Sequence, residues 1–170
     1  MTSARIILVT YTRRSENFTD DLYDLGAKLF AKYQHGFQVV VLGDTDGEPP
    51  QCPYPTSYIV HSGTKYSKLA HAIRNFDSSI FLSVDNDIEP VQENIIALLE
   101  QFLTSGADIG WGKITAKPAT FVSKLVYIDK ILSHDFIRPM LWKIGIGISI
   151  PGQVFIVDGA AYRDSLPGVD

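Results

Sequence analysis

Residues 80–90 read IFLSVDNDIEP. An apolar run passes directly into Asp85-Asn86-Asp87, and Pro90 follows. Continuous apolar runs of this kind suit strands buried on both faces, as in parallel sheets. In open α/β sheets ligands bind outside the carboxyl ends of the strands. Asp85 and Asp87 stand at such an end, two residues apart. Carboxylates held close repel each other unless a cation lies between them. Mg²⁺ or Mn²⁺, with hard oxygen ligands, resolves that conflict and takes its remaining ligands from water and substrate phosphates. The competing reading is a polar turn that only ends the strand, because Asp and Asn favour turns.

The residues before this stretch give it a setting. Arg5 to Thr10, RIILVT, is a β-branched run. Residues 15–33 carry Phe18, Leu22, Leu25, Leu29 and Phe30 at helical spacing, with Ser15 or Asn17 able to cap the start. Gly36 ends that element, and Phe37 to Leu42, FQVVVL, is a second strand. The order is the strand–helix–strand unit of a parallel sheet. Residues 43–55, rich in proline, form a loop. Tyr58 to His61 suits a short third strand, Lys65 to Phe76 a helix, and Ser79 to Val84 a fourth strand. Three strand exits are polar: Thr10-Tyr11-Thr12-Arg13, Gly43-Asp44-Thr45-Asp46 and Asp85-Asn86-Asp87. A parallel sheet brings all three to one edge.

After the acids, Pro90 marks a helix start, and Val91 to Leu103 carries an apolar face that Gly106 terminates. Ala107 to Gly112 suits a fifth strand. Phe121 to Ile131 carries a helical face of Phe121, Leu125, Ile128, Ile131 and Leu132. Residues 144–157 read as a glycine-punctuated loop feeding a strand.

The chain has 170 residues, enough for one domain with a sizeable core. Its net charge of -4, without a Lys/Arg cluster, disfavours a general nucleic-acid partner. Cys52 is the only cysteine, which excludes an internal disulfide and a cysteine-based zinc site, and a cytoplasmic setting is the simplest expectation. No stretch is apolar enough for a membrane span. The apolar-rich residues 136–157 leave a peripheral membrane contact open, and those at 140–157 leave a homo-oligomer open.

The motifs, in order, resemble the family 2 glycosyltransferases of GT-A fold. ILVTYTRR is similar to that family's opening strand and exit, VVVLGDTDGE to its acidic second strand end, and SGTKYSKLAHAI to its Gly-Lys segment. FLSVDNDIEP resembles its D-x-D strand, and PGQVFIVDGAAYRDSLPGVD its later strand and Gly-Gly-Phe-Asp-type turn. The resemblance implies a Rossmann-like, mostly parallel sheet flanked by helices. It implies a nucleotide-binding half at 1–112 and the start of an acceptor-side half at 113–170, cut short. The implied activity moves a sugar from a UDP- or GDP-type nucleoside-diphosphate sugar to a hydroxyl of an unidentified sugar, lipid or protein acceptor. Thr10 and Tyr11 would line the base or ribose, and Asp44 would accept from the base, with Asp46 as the fallback. Lys65 or Lys68 would approach the diphosphate, Lys65 being favoured and the other left as a solvated helix residue. His71 stands where the family often has Asn. Asp85 would contact the ribose or sugar and share the metal with Asp87, and Gly152 and Gln153 would lie near the donor sugar or acceptor.

The departure is at the end. Inverting members use a carboxylate base soon after the final turn, and here Asp170 is the last residue. The base is therefore unassigned, with Asp158 and Asp164 as candidate substitutes. Two readings stay open: a metal-dependent glycosyltransferase, and a non-catalytic module that binds the nucleotide sugar. A nucleotidyltransferase would need a glycine-rich loop after the first strand, where YTRRSEN has none, and a Rossmann dehydrogenase would need G-x-G-x-x-G.

Overall fold

The strand β1 (Arg5–Tyr11) lies inside the sheet, and its alternating side chains feed two different cores. Ile6 and Leu8 join one, while Ile7 and Val9 join the other. That two-sided burial explains why the run has no polar alternation. The computed structural model describes residues 5–13, 18–76, 79–113, 115, 117–146 and 152–165.

The other strands are β2 (Phe37–Gly43), β3 (Thr56–Val60), β4 (Ser79–Val84), β5 (Ile109–Trp111) and β6 (Val154–Asp158). They form one sheet in the order β3-β2-β1-β4-β6-β5. β1 to β4 pair in parallel, whereas β6 runs antiparallel to both β4 and β5. Helices α1 (Asp20–Tyr33) and α3 (Gln92–Ser105) cover one face through Leu22, Leu25, Leu29, Ile95, Leu99 and Phe102. Helix α2 (Lys65–Asn75) covers the other through Leu69, Ala72 and Ile73, joined by Tyr162 of α6 (Gly159–Ser165).

Two helix starts differ from expectation. The first helix is capped by Thr19, whose Oγ1 accepts from Leu22 N, while Ser15 and Asn17 lie outside the described residues. α3 begins at Gln92 with Val91 as its cap residue, so Pro90 precedes the helix. Gly106 ends α3 in the left-handed region at φ 67.

Between β5 and β6 lie α4 (Phe121–Ile131), a π-helical stretch (Leu132–Ile137) and α5 (Arg138–Lys143). A capping box starts α4: Thr120 Oγ1 accepts from Ser123 N, and Ser123 Oγ accepts from Thr120 N. Neither α4 nor α5 has a buried residue. Their main packing is on the π-helical stretch that joins them. No helix among the described residues is long and apolar enough to cross a membrane.

Candidate functional site

The parallel register sets the site. Val9 pairs with Ser83 and Tyr11 with Leu42, so the exits of β1, β2 and β4 lie level at one edge. β6 arrives from the opposite direction with Val154 beside Val84. The backbone of Asp85 donates to Gln153 O at 2.9 Å, which joins Gly152-Gln153 to the acids.

Lys65, in the first turn of α2, fixes this junction. Its ammonium donates to Asp85 Oδ1 and to Gly152 O. It also sits 4.7 Å from the Tyr11 ring centroid and 5.6 Å from that of Phe155. Aromatic faces attract a cation held in this range. Burial pushes the Asp85 carboxyl above its ordinary range, Lys65 opposes that shift, and Asp87 adds to it. Asp85 is therefore a half-buried acid that depends on a cation. Asp87 is exposed and has no ion-pair partner among the described residues. Burial also raises the Tyr11 phenol, so it stays neutral, with its hydroxyl 3.1 Å from Ser83 Oγ.

Lys68 lies one turn further along α2. It is buried and pairs with Asp44 Oδ1 at 2.6 Å, which corrects the expectation that one of the two lysines is merely solvated. A buried ammonium needs such a partner, because its desolvation is otherwise uncompensated. Tyr11, Thr12, Arg13, Asp44, Lys65, Lys68 and Asn86 line an open cleft of about 370 Å³. Asp46 is not part of that lining. Thr10 is fully buried and does not face the cleft, so the residues that β1 contributes begin at Tyr11. Thr10 shares the face of Ile6 and Leu8 and lies within the paired part of the strand, below its exit.

Several contributors had little signal in the sequence. Gly43 accommodates Tyr58, because a Cβ there would fall 1.7 Å from the Tyr58 hydroxyl. That hydroxyl donates to Thr45 O at 2.9 Å, and Thr45 Oγ1 donates to Arg13 O at 3.3 Å, tying the first two exits together. Phe155 and Ser83 are strand residues whose roles depend on neighbours distant in sequence. His71 is not at the cleft lining. It stacks on His61 at 4.4 Å, and its pKa is lowered by burial and by the neighbouring His61 and Arg74.

The candidate substitute base Asp158 lies at the other end of the sheet, opposite Ile80 at the start of β4. Its Oδ1 accepts from Ala160 N and Ala161 N and so caps α6. Asp164 is exposed on α6, and Asp170 lies outside the described residues. A larger open hollow of about 500 Å³ beside the proline-rich loop is lined by no charged side chain and offers nothing to a diphosphate.

The donor set fits a divalent cation. Asp85 and Asp87 supply hard carboxylate oxygens two residues apart at a solvent-accessible turn, and Asp87 has no ion-pair partner among the described residues. Among the described residues no third acid or histidine completes a cage. Such a site suits an ion that draws its other ligands from water and phosphate.

No protein-family model matches the chain, and no curated protein matches it. Solved structures do. Glucosyl-3-phosphoglycerate synthase from Mycobacterium tuberculosis, in complex with Mn²⁺, UDP-glucose and phosphoglyceric acid, aligns at TM-score 0.53 and 15% identity, covering 93% of this chain and 58% of that one. The same enzyme with Mg²⁺ and UDP aligns at TM-score 0.50 and 15% identity, over 93% and 57%. A mycobacterial protein aligns at TM-score 0.55 and 18% identity, over 93% and 54%. The chain thus spans a little over half the length of these neighbours. The likeness establishes the fold, which is GT-A: a mixed sheet of six strands flanked by helices.

Proposed function

We propose that this chain is the donor-binding domain of a family 2 glycosyltransferase, taking a UDP- or GDP-type nucleoside-diphosphate sugar. The observation that carries this reading is the meeting of three strand exits and two α2 lysines around one cleft, with Asn86, the residue between Asp85 and Asp87, in its lining and Asp85 paired to Lys65. Tyr11, Thr12 and Arg13 offer an aromatic face, a hydroxyl and a cation to the nucleoside. Asp44, in the cleft lining, would accept from the base ring. Asp87 and Asp85 would hold Mn²⁺ or Mg²⁺. When bound, the ion would offset charge on the departing nucleoside diphosphate. Lys65 would exchange Asp85 for a phosphate oxygen, for which an ammonium on a flexible stem is suited. The structural neighbours that hold UDP with Mn²⁺ or Mg²⁺ support the same class of ligand.

Titration calorimetry with UDP and GDP, each with and without Mn²⁺, tests the reading. Metal-dependent binding of one nucleotide is expected, and Asp87→Ala should abolish the metal dependence while the circular dichroism spectrum is unchanged. Absence of metal-dependent binding to both nucleotides would refute the proposal. A donor-binding module without transfer is the second reading, favoured by the commitment of Asp158 to capping α6 at the far edge. A transfer assay with UDP- and GDP-sugars separates the two.

A further inference from the structure

We propose that the segment from α4 through α5 is a docking surface for an anionic lipid bilayer. The argument is independent of the donor-site reading and begins with an inverted helix. On α4 the less exposed positions are Ser123, Tyr127, Lys130 and Ile131. The apolar stripe of Phe121, Leu125, Ile128 and Leu132 faces outward instead. A helix that only needed to complete the core would show the opposite arrangement. The outward apolar surface continues through the π-helical stretch and α5. Phe121 is 76% exposed, Phe136 64% and Trp142 63%, and Ile137, Met140 and Ile144 are exposed beside them. Contiguous apolar surface of this extent marks an interaction site.

Charge identifies the partner. Residues 113–146 carry Lys113, Lys117, Lys124, Lys130, Arg138 and Lys143 against Asp129 and Asp135, a net of +4. The whole chain is -4, so the remainder carries -8. Basic charge is concentrated on a segment that also exposes most of the large apolar side chains found at the surface of the described residues. His134 reports that local field: after burial, the nearby Arg138, Lys130 and Lys113 lower its pKa. Between β5 and α5, Trp111 and Trp142 meet edge to face at 6.1 Å and line a hollow of about 310 Å³ with His134, Arg138, Pro139 and Lys143. Tryptophan with flanking cations suits the headgroup level of a bilayer, and lysine and arginine stems can lie along apolar surface while their charges reach phosphate. A basic, apolar-faced helical segment on an acidic body is built to lie on a negative membrane rather than to cross it.

Sedimentation of the full chain with phosphatidylcholine vesicles, with and without phosphatidylglycerol, is the test. Binding is expected only with the anionic lipid and should weaken as salt is raised. Lys124→Gln combined with Lys143→Gln should weaken it roughly 25-fold, about fivefold per lysine. Phe121→Ser combined with Phe136→Ser should weaken it at least about tenfold per phenylalanine. Both pairs are solvent-exposed, and circular dichroism confirms that the variants fold. Failure of the parent chain to bind phosphatidylglycerol vesicles, or binding by both variants as tight as the parent's, overturns the proposal. A dimer in solution that Phe121→Ser with Phe136→Ser disperses, without vesicle binding, assigns the surface to a second copy and also overturns it.

Discussion

Asp85 and Lys65 show how one side chain can define another. An acid half-buried at a strand end is unfavourable as an anion, and the Lys65 ammonium is what makes it tolerable. The Asp44–Lys68 pair repeats this arrangement one turn along the same helix, with the lysine rather than the acid as the buried partner. His71 gives a residue-scale prediction. Burial, and then the neighbouring cationic groups, hold its folded pKa below the ordinary value near 6.5. In the window below 6.5 the unfolded chain therefore binds more protons than the folded one. Stability from this group is present above that window and is lost as pH falls through it. The thermal midpoint of the parent chain should drop more on acidification from neutrality than that of His71→Gln. Equal drops in calorimetric scans would remove the imidazole stack from the account.

At the scale of elements, ends matter more than middles. The strand and helix interiors follow their apolar periodicity closely, and β4 and α4 have the bounds that the pattern predicts. Helix starts were less legible, because Ser15, Asn17 and Thr19 all carry capping chemistry ahead of α1, and Pro90 precedes by two residues the start of α3 at Gln92. The stop at Gly106 was legible because a left-handed residue is needed there and glycine adopts it without strain. A Cβ at Gly106 would meet nothing within 4 Å, so substitution has a conformational cost alone. Gly106→Ala should cost about 1 kcal/mol, and Gly106→Asn less. Urea denaturation should show a lower midpoint with an unchanged slope, and a midpoint equal to that of the parent would contradict the αL assignment.

For the whole molecule, the sheet and the α4–α5 segment form regions of unequal stability. β1, β2 and β4 are buried on both faces, whereas α4 and α5 bury none of their residues. Opening free energy follows buried contact. Native-state hydrogen exchange should therefore show amides in 121–143 exchanging well before those of β1, β2 and β4, and comparable protection would mean that the segment is held by packing not seen here. The sequence alone determined the α/β order, the buried strands and the acids at the end of β4, because periodicity and turn chemistry are local. The resemblance of its ordered motifs added the GT-A fold. Only the tertiary structure decided the rest. It buried Thr10, put Asp44 and not Asp46 on the cleft, made Lys68 a buried partner, sent Asp158 to the far edge, and turned the apolar stripe of α4 outward. Each of these depends on register, strand direction and the neighbour across a layer, which are contacts between residues distant in the chain.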